Sequence, residues 1–308
     1  MSTAENDPGT PLGGALQPAV RRIATDALAL GTGARLPTNA EYLRDHQLGA
    51  GTVQRALKVL EERGALRTTS HGHRGRTVDT VDVGQAWQAG GLAPIRLILP
   101  PGGPAEIDVL EAALAEELTR LGIPHTVTHL RGGSGRLAAV LAGSHDIALT
   151  SAGVVPDGAS RLTRVLAPGT YYAPGRLASV HRADATAAAR RVAIDTQSPD
   201  HAALTTAEYP TDEGFAYVET PFTRVPAAVL RGEVDAGIWH LQESVIPLDL
   251  AGLRTEPLHR PATQRAWERL SAAVLTGWGG RPELAAVLAA LRLDDVGAAQ
   301  LAALHEQS

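Results

Sequence analysis

The sequence predicts two unlike folded parts in one chain: a small, mainly α-helical head closed by a β-hairpin, then a larger two-lobed α/β body. Three observations predict this. Apolar positions in the first eighty residues recur at helical spacing in three short segments, then give way to two strand-like runs around a basic turn. From Ile95 onward strand-like and helix-like segments alternate, and the alternation restarts at Arg191. At 308 residues, 44% hydrophobic and 20% charged, the chain is too apolar for disorder and too long for one small core.

Composition removes several chemistries at once. With no cysteine, disulfides, thiolate zinc sites, iron–sulfur clusters and cysteine nucleophiles are excluded together, which fits a reducing cytoplasm. Lys58 is the sole lysine among 28 basic residues, so a pyridoxal Schiff base or a phosphate-loop lysine has no candidate elsewhere. The opening MSTAENDPGTPLGG has neither the positive region nor the apolar core of a secretory signal. No stretch reaches the ~18 apolar residues of a membrane helix, so a soluble cytoplasmic protein with no membrane contact is expected. Charge is uneven: residues 18–83 carry +3 and the remainder from 84 carries −6, within a net of −5. A basic head on an acidic body points the head at a polyanion.

Residues 1–16 form a Pro/Gly-rich tail expected to be disordered, and the head spans 17–80. Its first helix is expected from Pro18 to Leu30, with Val20, Ile23, Ala24, Ala27 and Leu28 on one face and Gly31 and Gly33 ending it. Thr38-Asn39-Ala40-Glu41 is a capping box behind Pro37, opening a short second helix that should carry Tyr42 and Leu43 inward. After Gly49-Ala50-Gly51, Thr52 opens a third helix with Val53, Ala56, Leu57 and Leu60 on one face and Gln54, Arg55 and Lys58 on the other. Leu66 to Ser70 and Arg76 to Val78 are strands around the turn His71-Gly72-His73-Arg74-Gly75. Three helices and a basic hairpin make a winged helix-turn-helix. His71 and His73 have no third ligand nearby and are turn residues, so no metal is expected.

The run from Leu36 to Val78 resembles the DNA-binding head of GntR-superfamily regulators, in particular those of the YhfZ type. The resemblance rests on Leu36-Pro37-Thr38, Glu41-Tyr42, Gly51-Thr52-Val53-Gln54, Ala56-Leu57, the segment Leu60 to Ala65, and Gly72-His73 with Gly75. It implies double-stranded DNA as partner, with the third helix in the major groove and the wing on the backbone or minor groove. Position by position, it implies Thr52 on a phosphate, Gln54 and Arg55 on base edges, and Lys58 on a backbone phosphate. Arg35 and Thr38 join them before the second helix, and His73, Arg74 and Arg76 serve the wing. Where many relatives carry a polar or basic side chain this sequence has Ala50, which moves specificity towards Gln54 and Arg55.

Residues 81–94 show no strong period and are expected to link head and body, with Trp87 packed at the junction. In the body, 95–308, strand Ile95 to Leu99, helix Glu106 to Leu121, strand Pro124 to Leu130, helix Gly135 to Ala142 and strand Asp146 to Thr150 build one lobe. A second lobe, about 188–265, follows the same order from Arg191 through strands at Ala216 to Glu219 and Glu233 to Trp239. A returning strand at Ser271 to Thr276 and two Ala/Leu-rich helices close the chain. Two such lobes with crossings describe a periplasmic-binding-protein-like domain.

The YhfZ resemblance continues through Leu130-Arg131-Gly132, Arg136, Asp146 to Ser151, Gly169-Thr170-Tyr171, Ile194 to Ser198 with Asp200, and Asp235 to Trp239; His240 departs from it, standing where an amide is expected. Ligands of such domains sit between lobes on strand-end hydroxyls, helix N-termini and often an arginine. The expected contacts are Gly102, Gly103, Arg131, Arg136, Ser151, Tyr171, Ser198 and Trp239, with Arg131 the first choice to anchor a small anion.

Catalytic motifs are poor. Gly132-Gly133-Ser134-Gly135-Arg136 resembles a nucleophile elbow but ends in Arg136 where glycine is required, no phosphate loop exists, and His125, His129 and His145 are scattered. The sequence therefore predicts a cofactor-free, dimeric transcriptional regulator controlled by a small effector, not an enzyme. The alternative is a DNA-binding protein whose body only dimerises or carries an uncharacterised activity.

Overall fold

The computed structural model describes residues 14–72, 75–154, 162–241 and 247–306. The expected disordered tail falls largely outside them, as do His73 and Arg74 of the wing. The head holds α1 (Leu16–Leu30), β1 (Arg35–Leu36), α2 (Asn39–His46), α3 (Ala50–Glu62), β2 (Leu66–Ser70) and β3 (Arg76–Val81). The apolar stripe of α1 is buried as its spacing predicts, and Gly31, at φ 81°, caps it with an N–H to the Ala27 carbonyl. The Thr38 hydroxyl accepts from the Glu41 amide while the Glu41 carboxylate accepts from the Thr38 amide, so the capping box closes in both directions. Val53, Ala56, Leu57 and Leu60 bury the inner face of α3. Strand order β1-β3-β2, all antiparallel, completes a winged helix-turn-helix.

One inward placement fails. Tyr42 is buried, but Leu43 is 57% exposed. Adjacent helix positions lie about 100° apart, and an eight-residue helix offers its neighbours one face, which Tyr42 occupies.

The stretch expected as a linker contains α4 (Val83–Gly90). Asp82 caps it by accepting from the Gln85 amide, Gly91 closes it in the left-handed region, and Trp87 is buried. A helix of two turns is too short to show a period, so its caps were the available signal. The remaining elements are β4 (Ile95–Leu99), α5 (Ala105–Arg120), β5 (His125–His129), α6 (Gly133–Leu141), β6 (Ile147–Ser151), β7 (Thr163–Val165), β8 (Leu177–Arg182), β9 (Arg191–Ile194), α7 (Pro199–Glu208), β10 (Ala216–Glu219), α8 (Val225–Leu230), β11 (Ala236–His240), β12 (Leu253–Pro257), α9 (Pro261–Leu270), β13 (Ala273–Gly277), α10 (Leu284–Ala290) and α11 (Val296–Glu306).

Contacts group the chain into two compact units. The first runs through Ile95 and includes 116–126 and 277–291. In it α1 packs on α3, on α4 and on α10. Arg281 stacks 5.0 Å from the Trp87 ring, donates to the Ala93 and Pro94 carbonyls at 3.2 and 3.3 Å, and pairs with Glu283 at 2.9 Å.

The second unit, 96–115 with 127–276 and 292 onward, holds most of two five-stranded sheets. Their orders, β5-β4-β6-β13-β7 and β10-β9-β11-β8-β12, follow one pattern: second, first and third strand of a βαβ series, then a strand from a crossing passage, then an edge. The β4–β6, β9–β10 and β9–β11 pairs are parallel, whereas β8 runs antiparallel to β11 and β12. Repetition of this order in two lobes makes the body a periplasmic-binding-protein-like α/β domain. Strands β7, β8 and β12 and helix α9 were not foreseen, because they fall where the crossings interrupt the βα alternation. No helix among the described residues is long and apolar enough to cross a membrane.

Candidate functional site

Two regions of the chain gather the polar side chains that bear on function. In the head, Gln54, Arg55 and Lys58 are exposed on one face of α3 and Thr52 is half-buried near its start. Their partners are local and weak. Arg55 Nε reaches back to the Gly51 carbonyl at 3.4 Å, and Lys58 stands 3.5 Å from Glu62 with both side chains more than half exposed. Arg35 is exposed, and a Cβ placed on Gly75 would stand 3.2 Å from Arg35 Nε and 3.3 Å from Thr38 Cγ2. Only glycine, here at φ 88°, lets the wing turn approach the start of α2 so closely. The Thr38 hydroxyl is committed to its cap, donating to Glu41 Oε2 at 2.8 Å. Arg76 is half-buried, donates to Thr68 Oγ1 at 2.9 Å and lies 3.9 Å from Glu61.

In the body, a seam of buried polar groups joins elements of both sheets. Glu106, in the first turn of α5, is fully buried; its Oε1 accepts from the Ala173 amide at 3.1 Å and from His240 Nε2, at the end of β11, at 2.7 Å. Gln300 of α11 donates to the carbonyls of Glu106 and Thr170, both at 2.8 Å. Arg136 of α6, 2% exposed, donates to the carbonyls of Leu149 and Leu130 and to the Tyr171 hydroxyl, each at 2.7 Å. Tyr172 donates to Asp200 Oδ2 of α7 at 2.9 Å. Its ring meets those of Tyr171 and His240 edge-on, with centroids 4.8 and 5.3 Å away.

The approach is tight after β6. A Cβ on Gly153 would fall 2.5 Å from Asp200 Oδ1 and 2.1 Å from Leu270 Cδ2. Burial pushes the Glu106 carboxyl up, but the hydrogen bond and charge of His240 outweigh it and leave Glu106 below the usual carboxylate range. Asp200 goes the other way: burial raises it, against the smaller opposing pull of the Ser151 and Tyr172 hydroxyls and Arg136. Although Ser151 weighs on that carboxyl, neither Ser151 Oγ nor Asp200 Oδ1 completes a hydrogen bond of good geometry. Glu106 Oε2, Thr150 Oγ1 and Gln300 Oε1 are likewise buried without a partner.

Of the residues expected to line a ligand site, the structure brings Arg136, Ser151 and Tyr171 into this seam. Arg131 is exposed in the loop before α6, Gly102 is exposed, and the Gly103 amide donates to Asp108 Oδ1 at 3.1 Å. Ser198 is half-buried at the cap of α7 and makes no cap bond with its side chain; Trp239 stacks on Phe222 at 4.8 Å. Sequence reasoning missed Glu106, Thr150, Tyr172 and Gln300, quoted Asp200 only as a landmark, and noticed His240 only as a departure from a pattern. Two surface cavities, of about 490 and 320 Å³, lie beside α9, and neither is lined by Glu106, Arg136 or Asp200.

The Escherichia coli (strain K12) protein YhfZ is 26% identical over 230 residues, covering 73% of this chain and 74% of its own. The crystal structure of YhfZ from Shigella flexneri superimposes with a TM-score of 0.49 at 22% identity, covering 70% of this chain and 91% of that one. The periplasmic aliphatic sulphonate binding protein SsuA from Escherichia coli gives a TM-score of 0.47 at 17% identity, over 70% and 71% of the two chains. A helix-turn-helix domain model matches residues 31–78. The model of the YhfZ C-terminal domain matches residues 82–308, well over half of the sequence, and on that match the chain belongs to the YhfZ family.

Proposed function

We propose that this chain is a cytoplasmic transcriptional regulator of the GntR type, with the head (17–80) binding a DNA operator and the body (95–308) sensing a small effector between its lobes. The observation that carries the reading is the pairing, in one chain, of a solvent-facing Gln54–Arg55–Lys58 stripe on the third helix of a winged helix-turn-helix with a seam of buried, partly unpartnered polar groups between two α/β lobes. The first supplies base-edge and phosphate donors of the kind that read a major groove. The second holds interactions that a bound molecule completes, so that ligand favours one arrangement of the lobes. Thr52, Arg35 and Arg76 extend the DNA face, with His73 and Arg74 in the wing. A homodimer on a two-fold operator follows from the geometry such heads require.

The test begins with selection of genomic fragments by the full chain, followed by titration of the recovered operator at fixed salt. Arg55→Ala is expected to weaken operator binding by about 1–3 kcal/mol. Lys58→Ala is expected to reduce the slope of log affinity against log salt by about 1. Equal affinity of Arg55→Ala and parent for the operator defeats the DNA-reading assignment.

A further inference from the structure

We propose that the interlobe seam takes a small organic cation, a protonated amine or guanidinium, as its ligand. This rests on the effector-sensing reading above and names the ligand class for the same site. An arginine-anchored anion is what the basic residues of the sequence suggest, and the seam's own hydrogen-bond inventory reverses that. Arg136 has its Nε and both Nη engaged, on two main-chain carbonyls and the Tyr171 hydroxyl. Arg131 is exposed, and the Gly103 amide already serves the Asp108 carboxylate. The donors an anion requires at Arg136, Arg131 and Gly103 are committed or outside, and Arg176, whose Nε is buried without a partner, spends its Nη2 on the Leu241 carbonyl at 2.9 Å.

What remains without a partner is acceptor-rich. Glu106 Oε2 and Asp200 Oδ1 are carboxylate oxygens and Gln300 Oε1 an amide oxygen, while the Thr150 and Ser151 hydroxyls accept as readily as they donate. All five residues are at least 95% buried. Three of them are joined through named contacts, Gln300 to Glu106, Glu106 to His240, His240 to the Tyr172 ring and Tyr172 to Asp200, while Ser151 acts on the Asp200 carboxyl and Thr150 precedes Ser151 on β6. A buried acceptor left unpaired costs free energy that a donor recovers, and more so for a carboxylate oxygen. An ammonium or guanidinium between α5 and α7 supplies several N–H donors and one positive charge to two acids. An anion in the same place meets two acids, of which only Glu106 has a cationic partner, His240.

Calorimetric titration and thermal melting of the full chain separate the two classes. Butane- and pentane-diamines with methylguanidine form one arm; succinate, glutarate and methanesulfonate form the other. The expected result is binding and a raised Tm in the cationic arm alone, with affinity falling roughly tenfold or more in Asp200→Asn and in Glu106→Gln. Because Glu106→Gln also breaks a buried ion pair and can impair folding, Ser151→Ala and Asp200→Asn carry the comparison, each checked by its unliganded melt. Binding of the anions with a silent cationic arm overturns the ligand class and leaves the sensor reading standing. Amine binding that survives in both Asp200→Asn and Ser151→Ala lies elsewhere and overturns the assignment to this seam. Silence in both arms overturns the inference, while the operator titration with Arg55→Ala judges the regulator reading separately.

Discussion

His240 Nε2 donates to Glu106 Oε1 at 2.7 Å across 134 positions of sequence, joining the end of a central strand of one sheet to the first turn of the helix that follows the first strand of the other. Both side chains are at least 90% buried. Removing one partner of such a pair leaves an uncompensated charge in the interior, which costs about 3–5 kcal/mol. His240→Ala is therefore expected to lower unfolding stability by that amount in urea titration. The double variant Glu106→Gln/His240→Gln should recover most of it, since two amides restore a neutral hydrogen bond. A loss below about 1 kcal/mol in His240→Ala, the worth of an exposed pair, shows that the pair is not sequestered in solution.

Asp200 behaves oppositely to Glu106. Its folded-state value lies above its unfolded one, so ionisation destabilises the folded chain as pH rises through the window between the two. Asp200→Asn removes that penalty and keeps an acceptor for the Tyr172 hydroxyl. The variant is expected to melt higher than the parent at pH 7, with the two melts converging as pH falls to the ordinary range of an aspartate and Asp200 becomes neutral. For Glu106, whose value is lowered, the stabilising contribution is present above its unfolded value and fades as pH falls through the folded one. Thermal melts of the parent, Asp200→Asn and Glu106→Gln across pH 3–8 check both signs. A parent that gains on Asp200→Asn as pH rises contradicts the burial of that carboxyl.

Local rules carried the head far and the seam hardly at all. The Thr38–Glu41 capping box, the apolar stripes of α1 and α3, and the hairpin around Gly72 and Gly75 are encoded within a few residues of one another, and the structure forms each of them. In the body the βα alternation located most strands and helices, because buried parallel strands are short apolar runs. Glu106 looks in sequence like an ordinary acid in the first turn of an amphipathic helix, where negative charge favours the dipole. Its burial depends on His240, Ala173 and Gln300, between 67 and 194 positions away. Tyr172 and Asp200 are likewise paired only by the chain crossing. No periodicity reports contacts of that range: Arg136 and Tyr171 were each expected at the site, but the bond between them was not.

Gly153 tests whether the close approach of the lobes matters to ligand binding. The methyl of Gly153→Ala would overlap Leu270 Cδ2 and stand 2.5 Å from Asp200 Oδ1. Leu270 can rotate away, but Asp200 is held by Tyr172, so the loop after β6 must withdraw from α7. Overpacking of this kind costs about 1–3 kcal/mol. The expected outcome is a larger radius of gyration in small-angle scattering and weaker binding of the cationic ligand. The second-site change Leu270→Ala should relieve part of the stability loss. Parental scattering and affinity in Gly153→Ala indicate that the seam tolerates a methyl and is looser in solution than the contacts imply.

The first compact unit makes a prediction about dissection. Helix α1 belongs by sequence to the DNA-binding head, yet its buried face, including Val20, Ile23 and Leu28, packs on α4 and α10 as well as on α3. Trp87 of α4, 1% exposed, is covered by Arg281, whose guanidinium also holds the Ala93 and Pro94 carbonyls. Cutting the chain after β3 removes both packing partners and exposes apolar surface on α1, at about 1.5–3 kcal/mol for each large side chain uncovered. A fragment covering residues 14–81 is therefore expected to show little hydrogen-exchange protection in α1, whereas the same amides in the full chain exchange slowly. Arg281→Ala in the full chain is the graded version: it removes the guanidinium that stands 2.9 Å from Glu283 and uncovers Trp87, and should lower α1 protection without abolishing it. Equal protection of α1 in fragment and full chain would mean that the head folds on α3 alone and that α4 and α10 contribute nothing to holding it.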